Sequence, residues 1–191
     1  LQGLAEDTLE AAIIDHQATG GSIIMMDPHT GEILAMASSP GLKYSTLDLD
    51  DPEQLELFRN RNVTDLYEPG SVMKVITTAA ALDRGVVTPD TSYFDSGAVD
   101  IYGTVLRNWD YGVYGAQTMT GVLQNSINTG AVFMVERLGD EVFHDYLTAF
   151  GFGVPTGVGV SGEASGVFRT PDDEGWSPVD LATQSFGQSI S

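Results

Sequence analysis

Apolar residues along this 191-residue chain fall into several distinct rhythms. Over residues 1–16, Leu4, Leu9, Ala12 and Ile13 recur at helical spacing and Thr19-Gly20-Gly21 ends the run, which predicts a first amphipathic helix. Residues 22–38, "SIIMMDPHTGEILAMAS", hold two short apolar runs around Pro28-His29-Thr30-Gly31. There Pro pre-sets φ and Gly supplies a positive φ, so the expectation is a β-hairpin. The next stretch, 39–62, is polar and acidic and predicts a surface excursion. After Pro69-Gly70, Val72, Val75, Ile76, Ala79, Ala80 and Leu82 return to helical spacing until Gly85, predicting a largely buried helix that Ser71 opens. Residues 88–115, rich in Asp, Gly, Tyr and Trp, read as a loop with short strands. Residues 118–124, 129–138 and 141–150 predict three more helices, the first two parted by "NSIN", before the glycine-rich "GFGVPTGVGVSGEASG".

Composition narrows what such a chain does. A hydrophobic share of 42% suffices for a sizeable core. The longest apolar runs, at 23–26 and 33–37, fall far short of the roughly 18 residues that a bilayer crossing needs. Zero cysteines excludes disulfides, thiolate metal sites and cysteine nucleophiles. A net charge of −19 with only eight basic residues argues against nucleic-acid partners and against docking on anionic lipid. The acidic surface is read as a solvated one. His16, His29 and His144 show no ligand spacing and "PDDEG" at 171–175 reads as a solvated loop, so neither a metal nor a cofactor is expected.

The chemistry centres on "YEPGSVMK", because Lys74 is one of only two lysines and stands three residues after Ser71. Side chains at i and i+3 of a helix share a face with Cβ atoms about 5–6 Å apart, which brings the amine within reach of the hydroxyl. A serine hydroxyl is a poor nucleophile until a base takes its proton. Lysine is such a base only when neutral, which requires lowering its pKa from about 10.4 toward 7, at about 4–5 kcal/mol against the charged form. Burial and the positive end of a helix dipole both act in that direction. With 14 serines in the chain, chance sets one three places before a given lysine about 7% of the time. The pair therefore gains its weight from its setting, a Pro-Gly break that exposes Ser71 and a chain otherwise almost without lysine.

Ser126-Ile127-Asn128 sits where the helical pattern breaks. Residues two apart do not share a helix face, but in a turn between helices they do come together. A hydroxyl and a carboxamide suit an acyl-transfer site, Ser126 relaying a proton and Asn128 fixing an amide. The other reading of Asn125, Ser126, Asn128 and Thr129 is a cluster of helix caps.

"YEPGSVMK" followed by "SIN" resembles the first two active-site motifs of penicillin-binding proteins, serine acyltransferases that share SxxK, SxN and KTG motifs with β-lactamases. "DPHTGEILAMAS", "RNRNVTDLYEPGS", "GVVTPD", "FGFGVPTGVGVSGEASG" and "SFGQSIS" extend the likeness, in order, to the transpeptidase domain of the class B, or monofunctional, branch. The resemblance implies an α/β fold of the α+β type, like that of penicillin-binding proteins and serine β-lactamases, with a helical subdomain and an antiparallel sheet. It treats residues 1–191 as part of one such domain: an N-terminal helix at 1–19, a hairpin of the central sheet at 20–38 and a mainly helical active-site region at 39–191.

Carried over residue by residue, the resemblance makes Ser71 the acylated nucleophile, Lys74 its general base, and Ser126 and Asn128 the second motif. It implies cross-linking of peptidoglycan stem peptides at their D-Ala-D-Ala ends, acylation by β-lactams, and an extracytoplasmic setting in a longer, N-terminally anchored protein that works with a membrane glycosyltransferase. A related carboxypeptidase or β-lactamase, or a non-catalytic β-lactam sensor, are the alternative readings. The third motif has no counterpart. His29-Thr30-Gly31 precedes the nucleophile and belongs to the hairpin turn, and Asn128-Thr129-Gly130 and Pro155-Thr156-Gly157 lack the cation. The expectation is a chain that stops before the KTG strand, a weakly active piece, and a hairpin edge free to pair with a second copy. Arg59 and Arg61 are expected to order the approach to Ser71 through ion pairs, and Trp109, Tyr111 and Tyr114 to pack locally rather than line a cleft.

Overall fold

A computed structural model describes residues 1–41, 48, 50–51, 54 and 56–191. Much of the expected surface excursion, with Lys43, lies outside the described residues. The chain divides into two compact units, Leu1–Leu66 with Gly157–Ala164, and Tyr67–Thr156 with Ser165–Ser191.

In the first unit, helix α1 (Gln2–His16) lies on an antiparallel hairpin of β1 (Gly21–Met26) and β2 (Ile33–Ser39), in register from Gly21↔Ser39 with a bulge at Met25/Met26. The buried stripe of α1 is Ala5 and Leu9, continued by Ile13, against Ala35, Ala37 and Ile23. Leu4, expected on that face, is 63% exposed. The reason is steric: two alanines on β2 admit a close approach, and Ala5 with Leu9, four apart, fills it better than Leu4. The hairpin turn closes as expected, with Gly31 at φ 74. Asp27 Oδ1 caps it by accepting the His29 (2.7 Å) and Thr30 (3.2 Å) N–H groups. His29-Thr30-Gly31 is therefore turn chemistry. A short helix α2 (Arg61–Thr64) follows, capped by the Asn60 side chain on Asn62 N. Arg59 pairs with Asp65 at 3.1 Å and Arg61 with the same carboxylate at 3.9 Å.

The second unit holds the main core. A 3-10 turn, Gly70–Met73, runs into α3 (Lys74–Asp83). Strands β3 (Ser92–Asp95), β4 (Ala98–Ile101), β5 (Thr104–Arg107) and β6 (Gly115–Thr118) follow and form two antiparallel ladders, β3–β6 and β4–β5. Helices α4 (Met119–Gln124), α5 (Asn128–Leu138) and α6 (Asp140–Ala149) come next, and α7 (Pro178–Gln184) closes the fold. Met73, Ala80, Ala81, Val122, Ile127, Met134, Val135, Phe143 and Leu147 form a continuous buried cluster at the contact of these helices.

Two sequence expectations change here. The buried face of the segment after Pro69-Gly70 is Met73, Lys74, Thr77, Thr78, Ala80 and Ala81, whereas Val72 is 69% and Val75 66% exposed. Hydropathy favours valine over threonine, but α3 meets α5 through small side chains, and Thr77 satisfies its hydroxyl by donating to Ser185 O at 2.8 Å. Helix α7 was not foreseen. Its signal was present: Ser177 followed by Pro178 and Asp180, whose carboxylate accepts the Ser177 N–H at 2.9 Å.

Candidate active site

Ser71 sits inside the 3-10 turn and Lys74 is the first residue of α3. In 3-10 backbone the i and i+3 side chains eclipse, closer than the α-helical face read from the sequence, and Lys74 Nζ lies 3.0 Å from Ser71 Oγ. The turn is fixed from outside by the segment after α7. Gly70 N donates to Gly187 O at 2.9 Å, and Glu68 Oε1 accepts the Ser189 N–H at 2.7 Å. Gly187 has φ 81, and a Cβ there would collide with the Gly70 backbone.

The Ser126–Asn128 turn is built differently. Helix α4 ends in a Schellman arrangement, with Ile127 N donating to Val122 O (2.9 Å), Ser126 N to Leu123 O (3.2 Å) and Ser126 itself left-handed at φ 53. Glycine is the usual occupant of that position, so a serine there is held at a cost of about 1–2 kcal/mol. The buried pair Val122 and Ile127 clamps the turn, and α5 begins at Asn128.

The two turns meet at one amine. Lys74 Nζ lies 3.0 Å from Ser126 Oγ, 2.7 Å from Ser126 O and 2.7 Å from Asn128 Oδ1, besides its 3.0 Å contact with Ser71. Asn128 Nδ2 donates to Arg107 O at 2.9 Å, which turns the Oδ1 of this amide toward the lysine. Lys74 is 1% exposed, and burial lowers its pKa from 10.5 to about 8. Ser126 O and Asn128 Oδ1 only accept, so they take the two N–H groups of a neutral amine. Its single lone pair then faces two hydroxyls, Ser71 Oγ and Ser126 Oγ, at equal 3.0 Å distances.

All four residues singled out from the sequence thus lie together. Trp109 and Tyr111, expected to pack locally, are 71% and 79% exposed, while Tyr114 is partly buried and donates to Asp110 at 2.7 Å. Arg59 and Arg61 share Asp65 within the first unit. Three buried residues around the second turn, Asp95, Asn108 and Thr129, carry no sequence signal for their joint role, since 13 and then 21 residues separate their closest contacts. Among the described residues no group of three or more His, Cys, Asp or Glu side chains is placed to hold a metal ion.

A Ser-x-x-Lys turn facing a Ser-x-Asn turn, on this mixed fold, matches the motif pattern of penicillin-recognising serine acyltransferases. Residues 21–191 match the penicillin binding protein transpeptidase domain, and the chain belongs to that family. Stage V sporulation protein D of Bacillus subtilis (strain 168) is 38% identical over 192 residues, covering 100% of this chain and 29% of that protein. Peptidoglycan D,D-transpeptidase FtsI of Escherichia coli (strain K12) is 36% identical over 190 residues, covering 100% of this chain and 31% of that protein. The chain therefore spans under a third of the length of these relatives. Penicillin binding protein 3 from Mycobacterium tuberculosis, solved in complex with aztreonam, superposes with TM-score 0.87 and 30% identity over 99% of this chain and 41% of that one.

Proposed function

We propose that this chain supplies the nucleophile half of a peptidoglycan D,D-transpeptidase, with Ser71 as nucleophile, Lys74 as general base, Ser126 as proton relay and Asn128 as the residue that orients both the lysine and the substrate amide. The observation that carries the reading is a buried, pKa-lowered lysine whose Nζ lies 3.0 Å from both the Ser71 and the Ser126 hydroxyl oxygens. With a pKa of about 8, about one lysine in ten is neutral at pH 7, enough for a base that is recycled each turnover.

In the proposed cycle Lys74 takes the Ser71 proton as Oγ attacks the carbonyl joining two D-alanines. The backbone N–H of Ser71 is one donor toward the resulting oxyanion. The proton passes from Lys74 through Ser126 Oγ to the departing D-alanine nitrogen, leaving an ester on Ser71. An amine from a neighbouring stem peptide attacks that ester, gives up its proton along the same route, and Ser71 leaves reprotonated. A β-lactam, whose strained cyclic amide mimics the donor amide, would acylate Ser71 in the same way, but its ring nitrogen stays tethered to the acyl group after the C–N bond breaks and does not make way for the amine. The substrate polymer lies outside the cytoplasm, which places the working protein there. An anchor and a glycosyltransferase partner belong to this proposal as features of a longer protein, and pairing through the β1–β2 edge as a feature of this chain; among the described residues no helix is long and apolar enough to cross a membrane.

The test is fluorescent-penicillin labelling of the full-length protein beside Ser71→Ala and Lys74→Ala. Labelling of wild type alone is expected. Equal labelling of Ser71→Ala would remove the nucleophile assignment, and rapid release of hydrolysed penicillin would favour the hydrolase reading.

A further inference from the structure

Helix α5 starts directly beneath the site, yet its own N-cap residue, Ile127, has no side chain able to accept its first N–H groups. A residue 20 positions upstream does so instead. Asn108 Oδ1 accepts from Asn128 N at 3.0 Å and Thr129 N at 3.4 Å. Asn108 is 2% exposed, and its amide is fixed in that sense because Nδ2 donates to Asp95 Oδ2 at 2.9 Å and Gly112 O at 3.0 Å. Asp95 is fully buried and accepts three more hydrogen bonds, from Thr129 Oγ1 (2.6 Å), Gly97 N (2.9 Å) and Tyr114 N (2.8 Å). Burial raises the Asp95 pKa, and these donors together outweigh it, so the group stays ionised with a pKa below the ordinary value.

We infer that Asn108, held by the buried Asp95 carboxylate, is a positioning residue that sets Asn128 Oδ1 and Ser126 O against the Lys74 amine. The inference rests on the proposed roles of Lys74, Ser126 and Asn128. Arg107 O holds Asn128 Nδ2 and the Schellman bonds hold Ser126 and Ile127; of these supports Asn108 is the one that takes the N–H groups of Asn128 and Thr129 at the start of the helix. A carboxylate with four satisfied hydrogen bonds is a stiff anchor in a low-dielectric interior, and the rigidity passes through one amide to the helix start. A shift of about 1 Å in such support is enough to cost about 100-fold in rate.

The chain's full-length protein is used for the test, with stopped-flow acylation by a fluorescent penicillin to separate the acylation rate constant from the affinity of the initial complex. Asn108→Ala should lower the rate constant about 30- to 100-fold with the affinity changed less than threefold. Asn108→Asp, which keeps the acceptor oxygen but turns a second carboxylate oxygen on Asp95 Oδ2 and Gly112 O, should be slowed as well. A folded Asn108→Ala or Asn108→Asp that acylates within threefold of wild type overturns the inference. Should Asn108→Ala fail to fold, Asp95→Asn carries the test: at least a tenfold slower rate with unchanged affinity supports it, and a rate within threefold overturns it. Ser71→Ala separates the two levels, since continued labelling of that variant defeats the catalytic reading itself, whereas labelling lost there and unaffected by Asn108 defeats only the positioning role.

Discussion

Two turns make this site; both have remote supports, but the register of their functional atoms comes from different places. The Ser71–Lys74 turn places its functional atoms by local geometry, three residues apart on one stretch of 3-10 and helical backbone. The Ser126–Asn128 turn closes the helix before it with Schellman bonds of its own, but one of its residues is left-handed and Ile127 offers no side-chain cap to the helix after it, a cap that Asn108, bonded to Asp95, supplies. A local turn tolerates change in distant residues so long as its backbone is held. A turn assembled from elsewhere depends on each remote partner.

The sharpest way to break the first turn is at its amine. Lys74→Arg keeps the positive charge but not the ability to become neutral, so acylation should fall about 1000-fold or more, measured as the penicillin acylation rate. A loss below tenfold would mean that charge, not basicity, is the lysine's contribution. Next in size is Gly187→Ala, where a Cβ would meet the Gly70 backbone at φ 81. Stability should drop by about 2 kcal/mol or more, with acylation falling alongside it, read by thermal melting and labelling together.

The second turn separates stability from activity. Ser126→Gly removes Oγ while relieving the left-handed strain, so the protein should melt at the same temperature or higher, about 1 kcal/mol more stable, yet acylate about 10- to 100-fold more slowly. Ser126→Ala should lose similar activity without the gain in stability.

Lysine titration supplies a finer probe. The acylation rate should rise with pH as Lys74 deprotonates, with its midpoint near 8. For stability the sign follows from proton uptake. The folded state releases the lysine proton near 8 and the unfolded chain near 10.5, so between these values the unfolded state holds more protons and stability climbs with pH. A flat denaturation midpoint over that window, once other groups are subtracted with Lys74→Met, would contradict the burial of a titrating amine. The smallest effect belongs to Tyr93→Phe. It deletes a 2.7 Å donation to Thr129 Oγ1 but leaves Thr129 bonded to Asp95, so a change within about 1 kcal/mol and near-normal acylation are expected.

Much of this was legible before any coordinates. The hairpin turn, the helices at 118–150 and the Ser71–Lys74 pair all rest on interactions within a few residues, where spacing and turn chemistry act directly. The buried face of α3 was misread at Val72 and Val75 because burial follows the shape of the partner surface, and α5 accepts threonine and alanine where hydropathy favours valine. Helix α7 was missed although its Ser-Pro-x-Asp start is a local signal.

By itself, then, the sequence determined the Ser71–Lys74 turn, the residue types of the second turn and the family to which the chain belongs. Only the tertiary structure decided that Lys74 is fully buried, that its amine lies 3.0 Å from two hydroxyls, and that Asp95 and Asn108 are hydrogen-bonded to each other beneath the second turn. The physical reason is range. Capping and i,i+3 geometry are fixed by the adjacent backbone, whereas desolvation and hydrogen bonds between residues such as 95, 108 and 128 exist only once folding has brought those segments together and excluded water from between them.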